Sequence, residues 1–273
     1  MNNESTSYYT SIIKSPQFTF LVGKDRTPMT IHASIVQGKS DPLAAMINNG
    51  LMKESTTGVA ILDDVDVDVF GGLCEHLYTG RYTTPICTVN DAEKTYPEDK
   101  KVTRSRFPWI PYLNRRAMTS TNPRSPDFND NNMRHAQLCI SYYLTVSFRE
   151  LNFDACRCAS KTSTPDIIFH ARLYVLATRF LVESLREQSL ASLHRDLEQL
   201  IDKTSDIGLI IDLLHVTYSL TGKSEPGGGS ALRELVSHYA ASKAPELSKH
   251  AMFRELLEAS SDIGTDIIMN LTT

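Results

Sequence analysis

Short β-prone runs alternate with longer amphipathic runs across residues 18–82, and this order constrains the fold more than any other feature. The β-prone runs are rich in β-branched and aromatic residues, and brief polar turns connect the segments. The predicted order is a strand at 18–22, a turn at 23–26, a strand at 29–31, a helix that begins at His32, a strand at 59–62 and a helix at 66–78. Mixed elements of this kind predict an α+β domain, and the stretch holds no arrangement typical of a catalytic site.

Seven short motifs occur in order along the chain, although none of them is specific alone. They are Val22-Gly23-Lys24-Asp25, Ile31-His32-Ala33, Ser40-x-x-Leu43, Met52-Lys53-Glu54-Ser55, Ile61-Leu62-x-Asp64-Val65-x-x-x-Val69-Phe70, Leu77-Tyr78-Thr79-Gly80-x-Tyr82 and His170-Ala171-x-Leu173-Tyr174-Val175-Leu176-Ala177. Together they resemble the BTB (POZ) domain, and most of all the fungal BTB proteins that lack a named second domain. The resemblance covers residues 16–85 and 165–200.

The resemblance implies both a fold and a class of function. The implied fold is a small mixed sheet flanked by helices, here with a long irregular insertion and a helical C-terminal extension. The implied function is a non-enzymatic protein–protein interaction module. Two roles stay open at this point: an adaptor for a cullin ubiquitin ligase, and a scaffold or transcription-associated oligomerisation protein without a cullin role.

A hydrophobic-x-Glu motif marks the BTB proteins that recruit cullins, and Met52-Lys53-Glu54 matches it. The resemblance therefore places Met52 and Glu54 at a cullin-binding surface. Methionine is an adaptable apolar anchor, and a carboxylate accepts charge-assisted hydrogen bonds. Tyr78 and Tyr82 are expected to extend this surface, because tyrosine suits protein interfaces.

A second expected protein contact is a homodimer interface near the start of the chain. Residues 1–15 carry Tyr8, Tyr9, Ile12 and Ile13 at roughly helical spacing, which predicts a short leading helix. In BTB domains this helix and the one near His32 build a two-fold interface, although some BTB domains are monomers. The residues expected in the interface are Ile12, Ile13, His32, Ala33 and Val36.

Composition and charge narrow the class of partner and the compartment. The formal net charge of −4 and the isoelectric point near 6.1 argue against direct binding to nucleic acid. No apolar run reaches the roughly 18 residues of a membrane span, and the start of the chain is polar, unlike a signal peptide. We therefore expect no membrane contact and a location in the cytoplasm, the nucleus or both.

No group of residues has the spacing of a catalytic, cofactor or metal site. The five cysteines are irregularly spaced and odd in number, unlike a disulfide framework. Cys156 and Cys158 are one residue apart, whereas paired zinc ligands are usually separated by two or more. Gly38-Lys39-Ser40 lacks the earlier glycine that a phosphate-binding loop requires. We therefore expect no enzyme activity, no cofactor and no metal.

Residues 86–163 interrupt the BTB pattern and are predicted to be a largely disordered insertion. Six of the 12 prolines lie in 83–135, and the sparse apolar surface there offsets little of the entropy lost on ordering. Residues 136–153 are apolar again and fit no part of the pattern. They predict a strand or helix packed on the core, or a segment added by an unspliced intron.

The remainder of the chain is predicted to be helical. Residues 164–200 resemble the last two BTB helices, with Thr164 as the cap and Pro165 at the first helical position. Residues 201–273 are predicted to form the helical C-terminal extension, with a flexible glycine-rich link at 225–229. The predicted division is therefore 1–15, 16–85, 86–163, 164–200 and 201–273.

Overall fold

A computed structural model describes residues 8–85, 130–153, 166–201, 207–226 and 228–272, with side chains from residue 140 onward in the second range. The protein is mixed α+β, as predicted; it is mostly helical and has one small three-stranded sheet. The chain divides into two compact units. The first unit comprises Met1–Val89, Phe153–Gln199 and Leu220–Leu232. The second unit comprises Asn90–Asn152, Leu200–Ser219 and Arg233–Thr273. None of the helices in the described ranges has both the length and the apolar character of a membrane span.

The described residues form five strands, twelve α-helices and one 3₁₀ helix. The strands are β1 (Gln17–Val22), β2 (Thr27–His32), β3 (Val59–Leu62), β4 (Ser224–Glu225) and β5 (Gly228–Gly229). The helices are α1 (Tyr8–Ile13), α2 (Asp41–Asn48), α3 (Lys53–Thr57), α4 (Val67–Thr79), α5 (Asp130–Arg149), α6 (Ile167–Arg179), α7 (Glu183–Ile201), α8 (Ile207–Leu220), α9 (Ala231–Ser242), α10 (Ala244–Leu247), α11 (Ala251–Ala259) and α12 (Ser261–Thr272).

The sheet of the first unit has the order β2-β1-β3, with β1 antiparallel to β2 and parallel to β3. Successive side chains in a strand point to opposite faces. Phe18, Phe20 and Val22 of β1 are buried, and Ala60 and Leu62 of β3 are buried on the same face. The alternation of large apolar residues in β1 therefore decides which face of the sheet meets the core.

Helix α4 begins and ends at residues whose chemistry specifies those positions. Asp66 is the N-cap, and its carboxylate accepts hydrogen bonds from the amides of Asp68 and Val69 at 2.9 and 3.2 Å. Gly80 ends the helix with φ +75°, a conformation that glycine adopts without steric cost. These local signals explain why the sequence predicts this helix to within one residue.

The core of the first unit joins the sheet to α4, and α4 to α6. The ring of Phe70 on α4 lies 4.9 Å from that of Phe20 on β1, and both are buried. Gly72 lies where α4 meets α6, and a Cβ there would be 3.0 Å from Phe169 Cζ and 3.4 Å from Leu173 Cδ2. The missing side chain therefore allows the two helices to approach closely.

The segment after β2 differs from its prediction. His32 precedes a 3₁₀ helix at Ala33–Val36, and the next α-helix begins only at Asp41, where the Ser40 hydroxyl caps it. A helix therefore opens at His32 as predicted, but it is a 3₁₀ helix of four residues that ends before α2 begins. The predicted cap at Thr164 and Pro165 lies outside the described residues.

Within the described residues, α6 has Asp166 as its N-cap, which accepts a hydrogen bond from the Phe169 amide at 3.0 Å. The glycine-rich link at 225–229 also differs from its prediction, because β4 and β5 pair as a short antiparallel hairpin. The Glu225 carboxylate accepts hydrogen bonds from the hydroxyls of Tyr174 and Ser230 at 2.7 and 2.5 Å. These contacts hold the start of the predicted link in place.

Helices build the second unit, and α5 belongs to it. The ring of Phe148 on α5 is buried and lies 5.3 Å from that of Tyr239 on α9. The Ser141 hydroxyl donates to the Ser242 carbonyl at 2.7 Å. Of the two structures predicted for residues 136–153, the described part is therefore a helix. The rest of the predicted insertion, residues 86–129 and 154–163, lies outside the described residues.

Candidate functional site

The loop between α2 and α3 presents two adjacent apolar side chains to solvent. Oδ1 of Asn49 accepts hydrogen bonds from the amides of Leu51 and Met52 at 2.9 and 3.1 Å. The Ser55 hydroxyl lies 3.2 Å from the same oxygen, but its one proton has a nearer acceptor in the Met52 carbonyl, at 2.7 Å. Gly50 has φ +69°, the left-handed conformation that lets the chain reverse direction between Asn49 and Leu51. Two backbone hydrogen bonds to one side-chain oxygen therefore anchor this loop.

Leu51 is the most exposed of the large apolar side chains that the structure describes. It is 91 % exposed, Met52 is 45 % exposed, and Glu54 is partly buried in the first turn of α3. The predicted residues Met52 and Glu54 thus lie at the start of α3, and Leu51, which the motif does not include, directly precedes them. The turn-forming pair Asn49–Gly50 directly before two apolar residues is the sequence signal for Leu51.

Tyr78 lies on α4, and its hydroxyl group is used within the chain. The hydroxyl accepts a hydrogen bond from the His32 amide at 2.9 Å and lies 2.8 Å from His32 Nδ1. Because its oxygen already accepts from the amide, its proton can be donated to the ring nitrogen. This contact joins two residues predicted in different interfaces. Among the described residues, Tyr78 shares no hydrogen bond or ring contact with the 49–54 loop.

Tyr82 is not a surface residue, contrary to the prediction, because its side chain is buried. Its hydroxyl lies 2.7 Å from Nδ1 of His170, and Nε2 of the same ring lies 3.1 Å from the Asp196 carboxylate. Burial raises the pKa of Tyr82, so the hydroxyl stays protonated at neutral pH. Tyr82 therefore connects elements of the core and offers no side-chain atom to a partner.

Asp196 determines how protons are placed in this network. Burial acts to raise the pKa of Asp196, but the hydrogen bonds and charges of His170 and Arg195 outweigh it and hold the pKa below its usual value. The ionised carboxylate accepts from His170 Nε2, and Nδ1 of the same ring shares a hydrogen bond with the Tyr82 hydroxyl. The order of groups resembles a catalytic relay, yet Tyr82, His170 and Asp196 are all buried. We therefore assign the network a structural role.

A second buried histidine, His76, connects α4 to α7. Its Nδ1 lies 3.0 Å from Gln188 Oε1, and its Nε2 lies 2.9 Å from the Ser184 hydroxyl. The Gln188 amide nitrogen donates to the Gly80 carbonyl at 3.4 Å, which turns the amide oxygen toward the ring. The neutral ring thus donates from Nδ1. Burial lowers the pKa of His76 below 6.5, against the Gln188 hydrogen bond, and the charge of Lys39 lowers it further.

Acidification from about pH 7 to about pH 5 is expected to destabilise the first unit through His76. Because the folded pKa lies below 6.5, the unfolded state binds a proton first. The contribution of His76 to the free energy of unfolding is therefore fully present above pH 6.5. It is lost as the pH falls from 6.5 through the lower pKa of the folded state. Urea denaturation at several pH values in this range gives the slope of the free energy of unfolding against pH. This slope should be smaller in His76→Gln than in the wild type, by at most about 1.4 kcal/mol per pH unit. If His76→Gln has the same dependence of unfolding free energy on pH as the wild type, the assignment is contradicted.

Most of the residues predicted for a dimer interface are buried in the folded chain. Three of them belong to the chain's own core, which corrects the prediction: Ile12, Ala33 and Val36. His32 is partly buried and bonds to Tyr78, whereas Ile13 is 67 % exposed. Tyr8 and Tyr9, which share α1 with Ile13, are also exposed. The free apolar surface at this end of the chain is therefore one part of α1.

The described residues contain neither a cluster of metal ligands nor, at Cys74, a reactive thiol. No group of three or more His, Cys, Asp or Glu side chains in the described ranges could hold a metal ion. The pair Cys156 and Cys158 lies outside those ranges. Burial raises the pKa of the Cys74 thiol to about 12, so this thiol is protonated at neutral pH and is not an activated nucleophile.

Comparison with known proteins adds no relative. No family model, no curated protein and no solved structure matches this chain. A functional proposal must therefore depend on the exposed 49–54 loop, on the order of the elements around it and on the exposed part of α1.

Proposed function

We propose that this chain is a BTB-type protein-interaction module whose partner surface comprises Leu51, Met52 and Glu54. The observation that carries the proposal is an exposed leucine on a loop that Asn49 holds in place. A backbone that is already fixed loses little further entropy when its side chains are bound. The order of strands and helices in residues 17–79 supports the BTB type.

The partner that we propose is the N-terminal domain of a cullin, which makes the chain an adaptor for a ubiquitin ligase. Leu51 and Met52 supply adjacent apolar area, worth about 25 cal/mol for each Å² removed from water. The flexible thioether of Met52 can adapt to an irregular pocket. Glu54 supplies a carboxylate for charge-assisted hydrogen bonds at the border of that area.

Calorimetry of the purified chain with a cullin N-terminal domain tests this proposal. Met52→Ala and Glu54→Lys are each expected to weaken binding about 10- to 100-fold, since truncating a central interface residue typically costs about 1–3 kcal/mol. Leu51→Ala is expected to weaken binding similarly. Tyr142→Ala, which removes an exposed side chain of α5 in the second unit, is the matched control and should bind like the wild type.

The two outcomes lead to different functions. Binding that is lost in the 49–54 variants and kept in the control supports the adaptor role. A folded wild-type protein that does not bind removes the ubiquitin-ligase role and leaves the generic interaction module.

The alternative function is a scaffold or transcription-associated oligomerisation protein without a cullin role. The observation that favours it is the exposure of Tyr8, Tyr9 and Ile13 on α1, since a symmetric dimer needs one self-complementary patch. Light scattering should then give about 61 kDa, twice the 30.5 kDa of one chain. Ile13→Lys should return the protein to the mass of one chain, and a wild-type protein that is already monomeric contradicts this alternative.

A further inference from the structure

The sheet of the first unit has one protected edge and one open edge. β2 forms the protected edge, because Pro28 within it has no N–H that could bond to a further strand. Among the described residues β3 forms the open edge, and it contains neither proline nor a charged residue. β3 therefore lacks the features by which proteins usually prevent pairing at a sheet edge.

The backbone of β3 directs hydrogen-bonding groups toward this open edge. The carbonyls of Gly58 and Leu62 accept hydrogen bonds from the amides of Thr19 and Gly23, at 3.0 and 2.9 Å. In a parallel ladder every second residue bonds to the same neighbour. The N–H and C=O of Ile61 consequently point away from β1. Their spacing is complementary to the backbone of another extended chain.

The side chains beside this edge form an apolar face. Val59 and Ile61 are 37 % and 52 % exposed, and they lie beside Thr19 and Leu21 of β1 in the register of the sheet. A strand added at the edge places every second side chain on this same face, next to Val59 and Ile61. Apolar or β-branched residues at alternate positions of the added strand therefore fit the face.

Carboxylates lie at one end of the edge. Asp63 and Asp64 follow β3 directly and are exposed, and Asp64 forms an ion pair with Arg179 at 2.6 Å. Asp63 has no ion pair within the described part of the chain, so its charge is available to a partner. A strand that runs antiparallel to β3 brings its N-terminal end beside Asp63. A lysine or arginine at that end is complementary in charge.

We infer that the open edge of β3 binds an extended peptide of a partner protein, which joins the sheet antiparallel as its fourth strand. The peptide carries basic residues at its N-terminal end and β-branched or apolar residues at alternate positions. Backbone hydrogen bonds provide its affinity, and the face and Asp63 provide selectivity. A second copy of this chain fits less well, because a strand of 4 residues buries far less than the roughly 1,200–2,000 Å² of a stable interface. This surface is separate from the 49–54 loop.

A peptide with the sequence Lys-Lys-Thr-Val-Thr-Val-Thr-Ser and a C-terminal dye tests the inference by fluorescence polarisation. The same peptide with alternate backbone nitrogens methylated is the matched control, since it loses the N–H groups that face β3. We expect the methylated peptide to bind about threefold to tenfold more weakly, because the hydrogen bond to the outward Ile61 carbonyl is lost. A peptide that begins Glu-Glu should bind about threefold to tenfold more weakly, with the difference shrinking at high salt.

Two variants at one position locate the site on the protein. Ile61→Pro removes the outward N–H and is expected to abolish binding, whereas Ile61→Thr keeps that N–H and should bind within about threefold of the wild type. Neither variant should change the contact of the 49–54 loop with a cullin domain. Failure of the wild type to bind, or equal binding of the methylated peptide, overturns the inference. Self-association of the wild type in sedimentation that Ile61→Pro abolishes also overturns it, because the occupant is then a second copy.

Discussion

Replacing Asp196 with alanine is expected to lower the free energy of unfolding by about 3–5 kcal/mol. The substitution removes the carboxylate that accepts from His170 Nε2 and from Arg195 Nε. It leaves the fully buried His170 ring without the carboxylate that accepts from Nε2, and it takes the carboxylate contact of Nε away from the mostly buried Arg195. Such a loss is large, since a domain is typically stable by only about 5–15 kcal/mol.

Urea denaturation followed by circular dichroism measures this loss, with Gln199→Ala as the matched control. Gln199 lies on the same helix α7 and is exposed, so its substitution should change stability by less than about 0.5 kcal/mol. The pKa of Asp196 is lowered in the folded state. Its contribution to the free energy of unfolding is therefore fully present above pH 3.8, the usual pKa, and is lost as the pH falls below that value. Asp196→Ala should lack this loss of stability at low pH. Equal stability of Asp196→Ala and Gln199→Ala contradicts the assigned network.

Replacing Phe70 with alanine is also expected to lower the free energy of unfolding by about 3–5 kcal/mol. The ring is buried between the sheet and α4 and contacts Phe20. Alanine favours a helix, so the cost comes from the lost apolar contacts and from the cavity that remains. Phe70→Leu keeps most of the volume and is expected to cost less than about 1.5 kcal/mol.

Leu51→Ala is the matched control for Phe70→Ala, because both truncate a large apolar side chain in the first unit. Leu51 is almost fully exposed, so its truncation should leave the urea midpoint unchanged while it weakens partner binding. Equal midpoints for the two variants mean that Phe70 is not part of the core.

The sheet and α4 could be predicted from the sequence because their signals are local. The strands predicted at 18–22, 29–31 and 59–62 are observed as Gln17–Val22, Thr27–His32 and Val59–Leu62. The helix predicted at 66–78 is observed as Val67–Thr79. Alternating apolar residues and capping residues act within a few positions along the chain. A helix opening at His32 was predicted, but its 3₁₀ type was not, because four residues are too few for a periodic pattern to distinguish helix types.

The assignment of residues to surface or core could not be predicted in the same way. An apolar position looks alike in sequence whether it faces the chain's own core or a partner, which is why Ile12 and Val36 were placed in an interface. Tyr82 was misplaced for a related reason, since its partner His170 lies 88 positions away. Leu51 was missed because the Asn49–Gly50 turn signal before it does not show which of the following apolar side chains faces solvent.

Each of the two compact units takes its residues from three separate stretches of the chain. Helix α4 ends at Thr79, whereas α6, which packs against it, begins at Ile167. At about 5–20 residues per second, a ribosome needs roughly 4 to 17 s to synthesise the residues between them. The sheet that covers Phe70 precedes α4 in the chain, whereas the surface of α4 around Gly72 has no native cover until α6 has been synthesised. This part of the core can therefore form only after translation has passed α6.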